Sequence, residues 1–133
     1  MTDTKLNAEK TPRPVLILED HEDTRELLRI LVQNLGFAVV TTSGGADGFK
    51  AFQRTRPDLI IADLAMPEGD GFVFIKRVRS MPADRGGKVA AIALSAFSAS
   101  TVVDLALGVG FDRFIAKPVD LEVLACTIEE LLR

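Results

Sequence analysis

Apolar residues in this chain follow two alternating periods. Val15-Leu16-Ile17-Leu18 is a continuous apolar run of strand length, set between Pro14 and the acids Glu19 and Asp20, and a strand covered on both faces reads this way. Leu27, Leu28, Leu31 and Leu35 follow at helical spacing, with Asp23 and Thr24 offering N-caps and Gly36 closing the segment. The alternation then repeats with short connections. Further strands are predicted over residues 37–41, 59–62, 88–94 and 111–116, and further helices over 46–54, 72–80, 99–109 and 120–132. Strands that alternate with helices predict an α/β domain with a doubly wound five-stranded parallel sheet, because right-handed crossovers lay each helix on a sheet face.

In such sheets ligands bind beyond the carboxyl ends of the strands. The residues just past those ends form a short set: Glu19 and Asp20, Thr41 and Thr42, Asp63, Ser95, and Lys117 with Pro118. Three carboxylates, one hydroxyl and one ammonium are thus expected to share a rim. Crowded carboxylates call for a raised pKa or a bound cation. Mg²⁺ suits them, since it takes one or two protein carboxylates and completes its shell with water and phosphate oxygens. A phosphoryl group on one carboxylate would supply such oxygens, and Lys117 and Ser95 could hold the others. The chemistry this pattern points to is phosphoryl transfer to a carboxylate.

Composition narrows the setting. The 133 residues suffice for one domain, and 47% hydrophobic with 26% charged residues is the profile of a chain that folds alone. Residues 1–14 are polar and lack the apolar centre of a signal peptide; a disordered leader is expected there, with the domain over 15–133. A net charge of -3 gives no general attraction to polyphosphate, and no basic run stands out, so nucleic acid is not an expected partner. No apolar stretch reaches the roughly 20 residues needed to cross a bilayer. Cys126 is the only cysteine, which fits a reducing compartment, and the cytoplasm is the expected location.

Leu18-Glu19-Asp20, Asp63-Leu64-Ala65-Met66-Pro67 with Gly71, Ser95-Ala96 and Lys117-Pro118 closely resemble the receiver domain of two-component response regulators, over about residues 15–132. The resemblance implies a (βα)5 flavodoxin-like three-layer sandwich of the chemotaxis-regulator type. It makes Asp63 the phosphoacceptor, with Ser95 and Lys117 binding the phosphoryl oxygens. It places Mg²⁺ at Glu19, Asp20, Asp63 and the backbone carbonyl of Ala65. It also makes Phe114 the switch aromatic, rotating inward as Ser95 moves, and makes the Lys117–Pro118 bond a candidate cis peptide. Glu19 departs from the more usual aspartate, and Ala65 and Phe97 are apolar at variable positions flanking the path of attacking water.

The function expected from this resemblance is a stand-alone phosphorylation switch with no further output domain. It would accept phosphoryl from a sensor histidine kinase or a histidine phosphotransfer protein and signal to an effector or relay onward. It would turn over no other substrate, catalysing only its own phosphorylation and dephosphorylation. The alternatives are a piece of a longer kinase and a phosphorylation-independent interaction scaffold. A nucleotide enzyme or flavin carrier has less support, since no phosphate-cradling Gly-x-x-x-x-Gly-Lys loop occurs and there is no tyrosine or tryptophan. The glycine-rich run from Ser43 to Gly48 follows the second strand, not the first, and is read as a loop and helix start. His21 is read as a loop position facing solvent or a kinase. In the fourth helix Val102, Val103, Leu105, Ala106, Leu107 and Val109 wrap further round than one core stripe requires. In the fifth, Leu121, Leu124, Ala125 and Ile128 form the expected stripe, with Val123 and Cys126 turned away. The two helices are an expected partner or homodimer face.

Overall fold

The computed structural model describes residues 13–65 and 71–132. Most of the expected leader, and Met66 and Pro67 of the loop after Asp63, lie outside the described residues. Five strands, β1 (Val15–Leu18), β2 (Val39–Thr42), β3 (Leu59–Asp63), β4 (Ala90–Ser95) and β5 (Arg113–Ala116), alternate with five helices, α1 (Glu22–Asn34), α2 (Gly45–Thr55), α3 (Gly71–Arg79), α4 (Ser100–Val109) and α5 (Leu121–Leu132). A single 3-10 turn, Ala83–Arg85, precedes β4. All strand pairs are parallel, in the order β2-β1-β3-β4-β5.

The continuous apolar runs follow from burial on both sheet faces. Side chains alternate across a strand, so Leu16, Leu18, Ile60 and Ala62 pack toward Phe49, Phe52, Phe74 and Val78 of α2 and α3, while Val15, Ile17, Leu59 and Ile61 pack toward Leu28, Val32, Leu124 and Ile128 of α1 and α5. After β1 the chain winds out to β2 and then back across to β3. That reversal leaves the carboxyl ends of β1 and β3 adjacent at the switch point of the sheet.

Strand starts differ from the sequence reading for one recurring reason: the preceding backbone groups are spent elsewhere. The Phe37 N–H closes α1 on Val32 O, the Val89 N–H closes a turn on Gly86 O, and the Phe111 N–H closes α4 on Ala106 O. None of these residues can then enter the ladder. The first helix is capped by His21, whose Nδ1 accepts from the Thr24 N–H at 3.2 Å, so the cap lies ahead of the expected Asp23 and Thr24. Its buried residues are Leu28 and Val32, whereas Leu27 and Leu35 are exposed. The expected stripe on α5 loses Leu121, which is 53% exposed in the first turn and lies off the line of Leu124 and Ile128 that faces the sheet.

Candidate functional site

Strand register builds the site. Leu18 pairs with Ala62, so Glu19 and Asp63 leave neighbouring strands side by side. Asp63 pairs with Leu94, and Ser95 with Ala116, which brings Ser95 and Lys117 to the same rim. The acids, Ser95 and Lys117 are therefore brought together by four adjacent strands, β1, β3, β4 and β5. Glu19, Asp63 and Ser95 are 1%, 5% and 1% exposed, and they are the only buried polar or charged residues among those described.

Buried polar groups need partners. Lys117 Nζ donates to Glu19 Oε1 at 2.9 Å and to Asp63 Oδ2 at 3.0 Å, reaching from β5 over the end of β4. Asp63 Oδ1 accepts from the Ala65 N–H at 3.1 Å, and Glu19 Oε2 from the His21 N–H at 3.3 Å. The Ser95 hydroxyl accepts from the Phe97 N–H at 2.9 Å, while Ser95 O accepts from the Lys117 N–H at 2.8 Å. The Lys117–Pro118 peptide is cis. Gly71 opens α3 hard against the acceptor strand: a Cβ there would lie 2.7 Å from Asp63 O, which no side chain could accommodate without moving the backbone that carries the carboxylate.

The charges are unevenly compensated. Burial pushes the Glu19 carboxyl above its ordinary 4.5, and the Asp63 charge adds to this, against the hydrogen bond and charge of Lys117. Burial pulls the Lys117 ammonium down, yet its hydrogen bonds and charge contacts with both carboxylates outweigh that and hold it above 10.5. Glu19, Asp20 and Asp63 each bring a carboxylate oxygen to within 4.8 Å of the others. Three carboxylates against one ammonium leave a surplus of negative charge, and a donor set of oxygens alone suits a hard divalent cation such as Mg²⁺ rather than zinc or copper.

Two expected members stand apart from this cluster. Phe114 is half-buried against the α2–α4 layer, and Ala65 is exposed, its backbone tied to Asp63 through its N–H. Two contributors were not foreseen. His21 is the cap of α1, for which the only sequence signal is a ring acceptor three residues before Thr24. Arg25 Nη1 donates to the carbonyls of Glu19 at 2.9 Å and Asp20 at 3.4 Å; its signal is a cation one helical turn beyond the acidic pair. Farther out, α4 and α5 present Leu105, Leu107 and Val123 to solvent. Among the described residues no helix is long and apolar enough to cross a membrane.

The sequence profile of the response regulator receiver domain matches residues 15–129. An uncharacterized 14.6 kDa protein of Leptolyngbya boryana is 38% identical over 106 residues, which span 80% of this chain and 79% of that protein. The transcriptional regulatory protein CseB of Streptomyces avermitilis is 35% identical over 90% of this chain, but the match spans only 48% of CseB. Among solved structures, the signal receiver domain of a histidine kinase from Syntrophus aciditrophicus matches with a TM-score of 0.80 at 32% identity, covering 90% of this chain and 89% of that one.

Proposed function

Because the chain belongs to the response regulator receiver domain family, we propose that it is a phosphorylation switch in which Asp63 takes a phosphoryl group from a phosphohistidine donor at a Mg²⁺-dependent site. The observation that carries this reading is the Asp63 carboxylate itself: nearly buried, beside two further carboxylates, and held by an ammonium at 3.0 Å. A carboxylate oxygen of Asp63 attacks phosphorus; the P–O bond forms as the P–N bond to the donor imidazole breaks, and the leaving imidazole takes up a proton. Lys117, the Ser95 hydroxyl and the Ala65 N–H are the donors available to the phosphoryl oxygens. Glu19, Asp20, Asp63 and the Ala65 carbonyl would hold Mg²⁺, whose contribution is to neutralise the charge that accumulates there.

Incubation with acetyl phosphate or phosphoramidate tests this directly by intact mass. One phosphoryl group gained with Mg²⁺ and none without it is the expected result. No gain under any condition would favour the phosphorylation-independent scaffold.

The phosphoryl group should persist. Ala65 and the largely exposed Phe97, two residues past Asp63 and Ser95 respectively, carry side chains that cannot orient an attacking water. Ala65→Asn combined with Phe97→Glu is expected to shorten the lifetime by on the order of tenfold, read as decay of the phosphorylated mass, because placing a water is worth that much or more. An unchanged decay rate would remove this explanation.

Output is assigned to the face of α4, β5 and α5. Once the Ser95 hydroxyl turns to the phosphoryl group, space opens for Phe114 to rotate inward, altering the surface around Leu105, Leu107 and Val123. The occupant is an effector, a phosphotransfer protein or a second copy, and the donor a sensor histidine kinase or phosphotransfer protein of the cytoplasm. The match across most of the Leptolyngbya boryana protein supports a stand-alone receiver over residues 15–133. Leu105→Glu is expected to abolish phosphorylation-dependent self-association, measured by sedimentation; monomers in both states of the native chain would remove the homodimer.

A further inference from the structure

Two of the three carboxylates at the rim, those of Glu19 and Asp20, sit on the short connection between β1 and α1, and something must hold that connection in shape. Its first peptide is fixed by the ladder, through the Glu19 N–H to Thr42 O at 3.0 Å. The Asp20 side chain is exposed and accepts no hydrogen bond among the described residues, so its aim is set by its backbone. That backbone is held by a side chain of α1. Arg25, half-buried one turn into α1, directs Nη1 to the carbonyl oxygens of both Glu19 and Asp20, while His21 starts the helix in an extended conformation between them.

We propose that Arg25 is a positioning residue for the divalent cation, clamping the acidic pair so that both carboxylates face Asp63; the proposal rests on the reading that these three groups hold Mg²⁺. The guanidinium has two opposed effects on such a site. As a cation it repels Mg²⁺, and as a clamp it spares the loop the ordering that binding would otherwise require. The direction of its hydrogen bonds decides between them. Lys117 spends its donors on the carboxylates and neutralises them, whereas Arg25 spends Nη1 on backbone carbonyls and leaves the carboxylates free. Outer groups that orient metal ligands in this way typically change affinity by about 10–100-fold.

Calorimetric titration of the unphosphorylated chain with Mg²⁺ separates the two effects. Arg25→Met removes charge and clamp; Arg25→Lys keeps the charge, but its stem ends one bond short of the Nη1 position that reaches both carbonyls. Both are expected to weaken Mg²⁺ binding by about tenfold. Binding by Arg25→Met as tight as native or tighter would overturn the proposal, as would native affinity in Arg25→Lys. Amide hydrogen exchange over residues 20–22, measured without Mg²⁺ on variants whose melting temperature stays near native, reads the clamp independently of the metal. Faster exchange in Arg25→Met is expected, and unchanged exchange overturns the clamp. A native chain that takes up no Mg²⁺ while Arg25→Met still loosens this loop would overturn the site reading instead.

Discussion

Replacing Lys117 with methionine is expected to lower folding stability by about 3 kcal/mol near neutral pH, because removing one partner of a buried ion pair leaves its charge uncompensated. Methionine keeps the apolar stem and removes the ammonium, and Glu19 and Asp63 are then left almost without solvent. The pH dependence identifies the cause. Burial already holds the Glu19 carboxyl above 4.5, so the stability tied to its protonated form is fully present below that value and is lost as pH rises through the raised one. Without Lys117 that loss deepens. The gap between native and variant should therefore be small at about pH 4 and wide at about pH 7 in urea melts. Lys117, held above 10.5, contributes stability that is intact below 10.5 and fades as pH rises through its raised value, where the native chain should drift toward the variant. Added Mg²⁺ should recover part of the variant's deficit, since a second cation then faces the same oxygens. A gap independent of pH and Mg²⁺ would assign the cost to packing alone.

Asp63→Asn is expected to gain no phosphoryl group under conditions that modify the native chain. The substitution is close to isosteric: the amide oxygen can still accept from the Ala65 N–H, and Lys117 keeps its bond to Glu19. What disappears is the anionic oxygen that attacks phosphorus. The variant should fold to within about 1 kcal/mol of native, because the loss of one charge-assisted hydrogen bond is offset by the loss of repulsion with Glu19. The Glu19 carboxyl should titrate at lower pH than in the native chain for the same reason. Residual phosphoryl gain, mapped by peptide mass, would relocate the acceptor to Glu19 or Asp20.

The strands and the reacting rim were legible because both are written in contiguous residues: apolar runs covered on two faces, and polar groups placed directly after them. Register does the rest, since parallel strands of similar length bring those groups to one end. Features that depend on how a loop bends were not legible. The Arg25 contacts need the acidic connection to fold back over α1, and the His21 cap needs a ring nitrogen rather than a hydroxyl or carboxylate to meet the Thr24 N–H. Helix orientation was partly hidden as well. In α1 and its C-cap, Leu27, Leu28, Ile30, Leu31, Val32 and Leu35 cover so much of the circumference that only packing selects Leu28 and Val32, and in α5 the apolar Leu121 extends the stripe on paper but not in space. The late starts of β2, β4 and β5 share one origin, in turn and cap hydrogen bonds that sequence patterns do not display.

The ion pairs of Lys117 span 98 residues to Glu19 and 54 to Asp63, and that spacing orders the assembly of the site in time. During synthesis the carboxylates leave the ribosome first and the cation long after them. A nascent chain that has emerged only as far as β4 has the partners of β1 and β3 in hand but lacks the ammonium that pairs with their acids. Contacts this distant in sequence close late in folding as well. The acidic rim is thus a point of self-repulsion until the fifth strand docks along β4, so formation of the finished site and completion of the sheet coincide in one event.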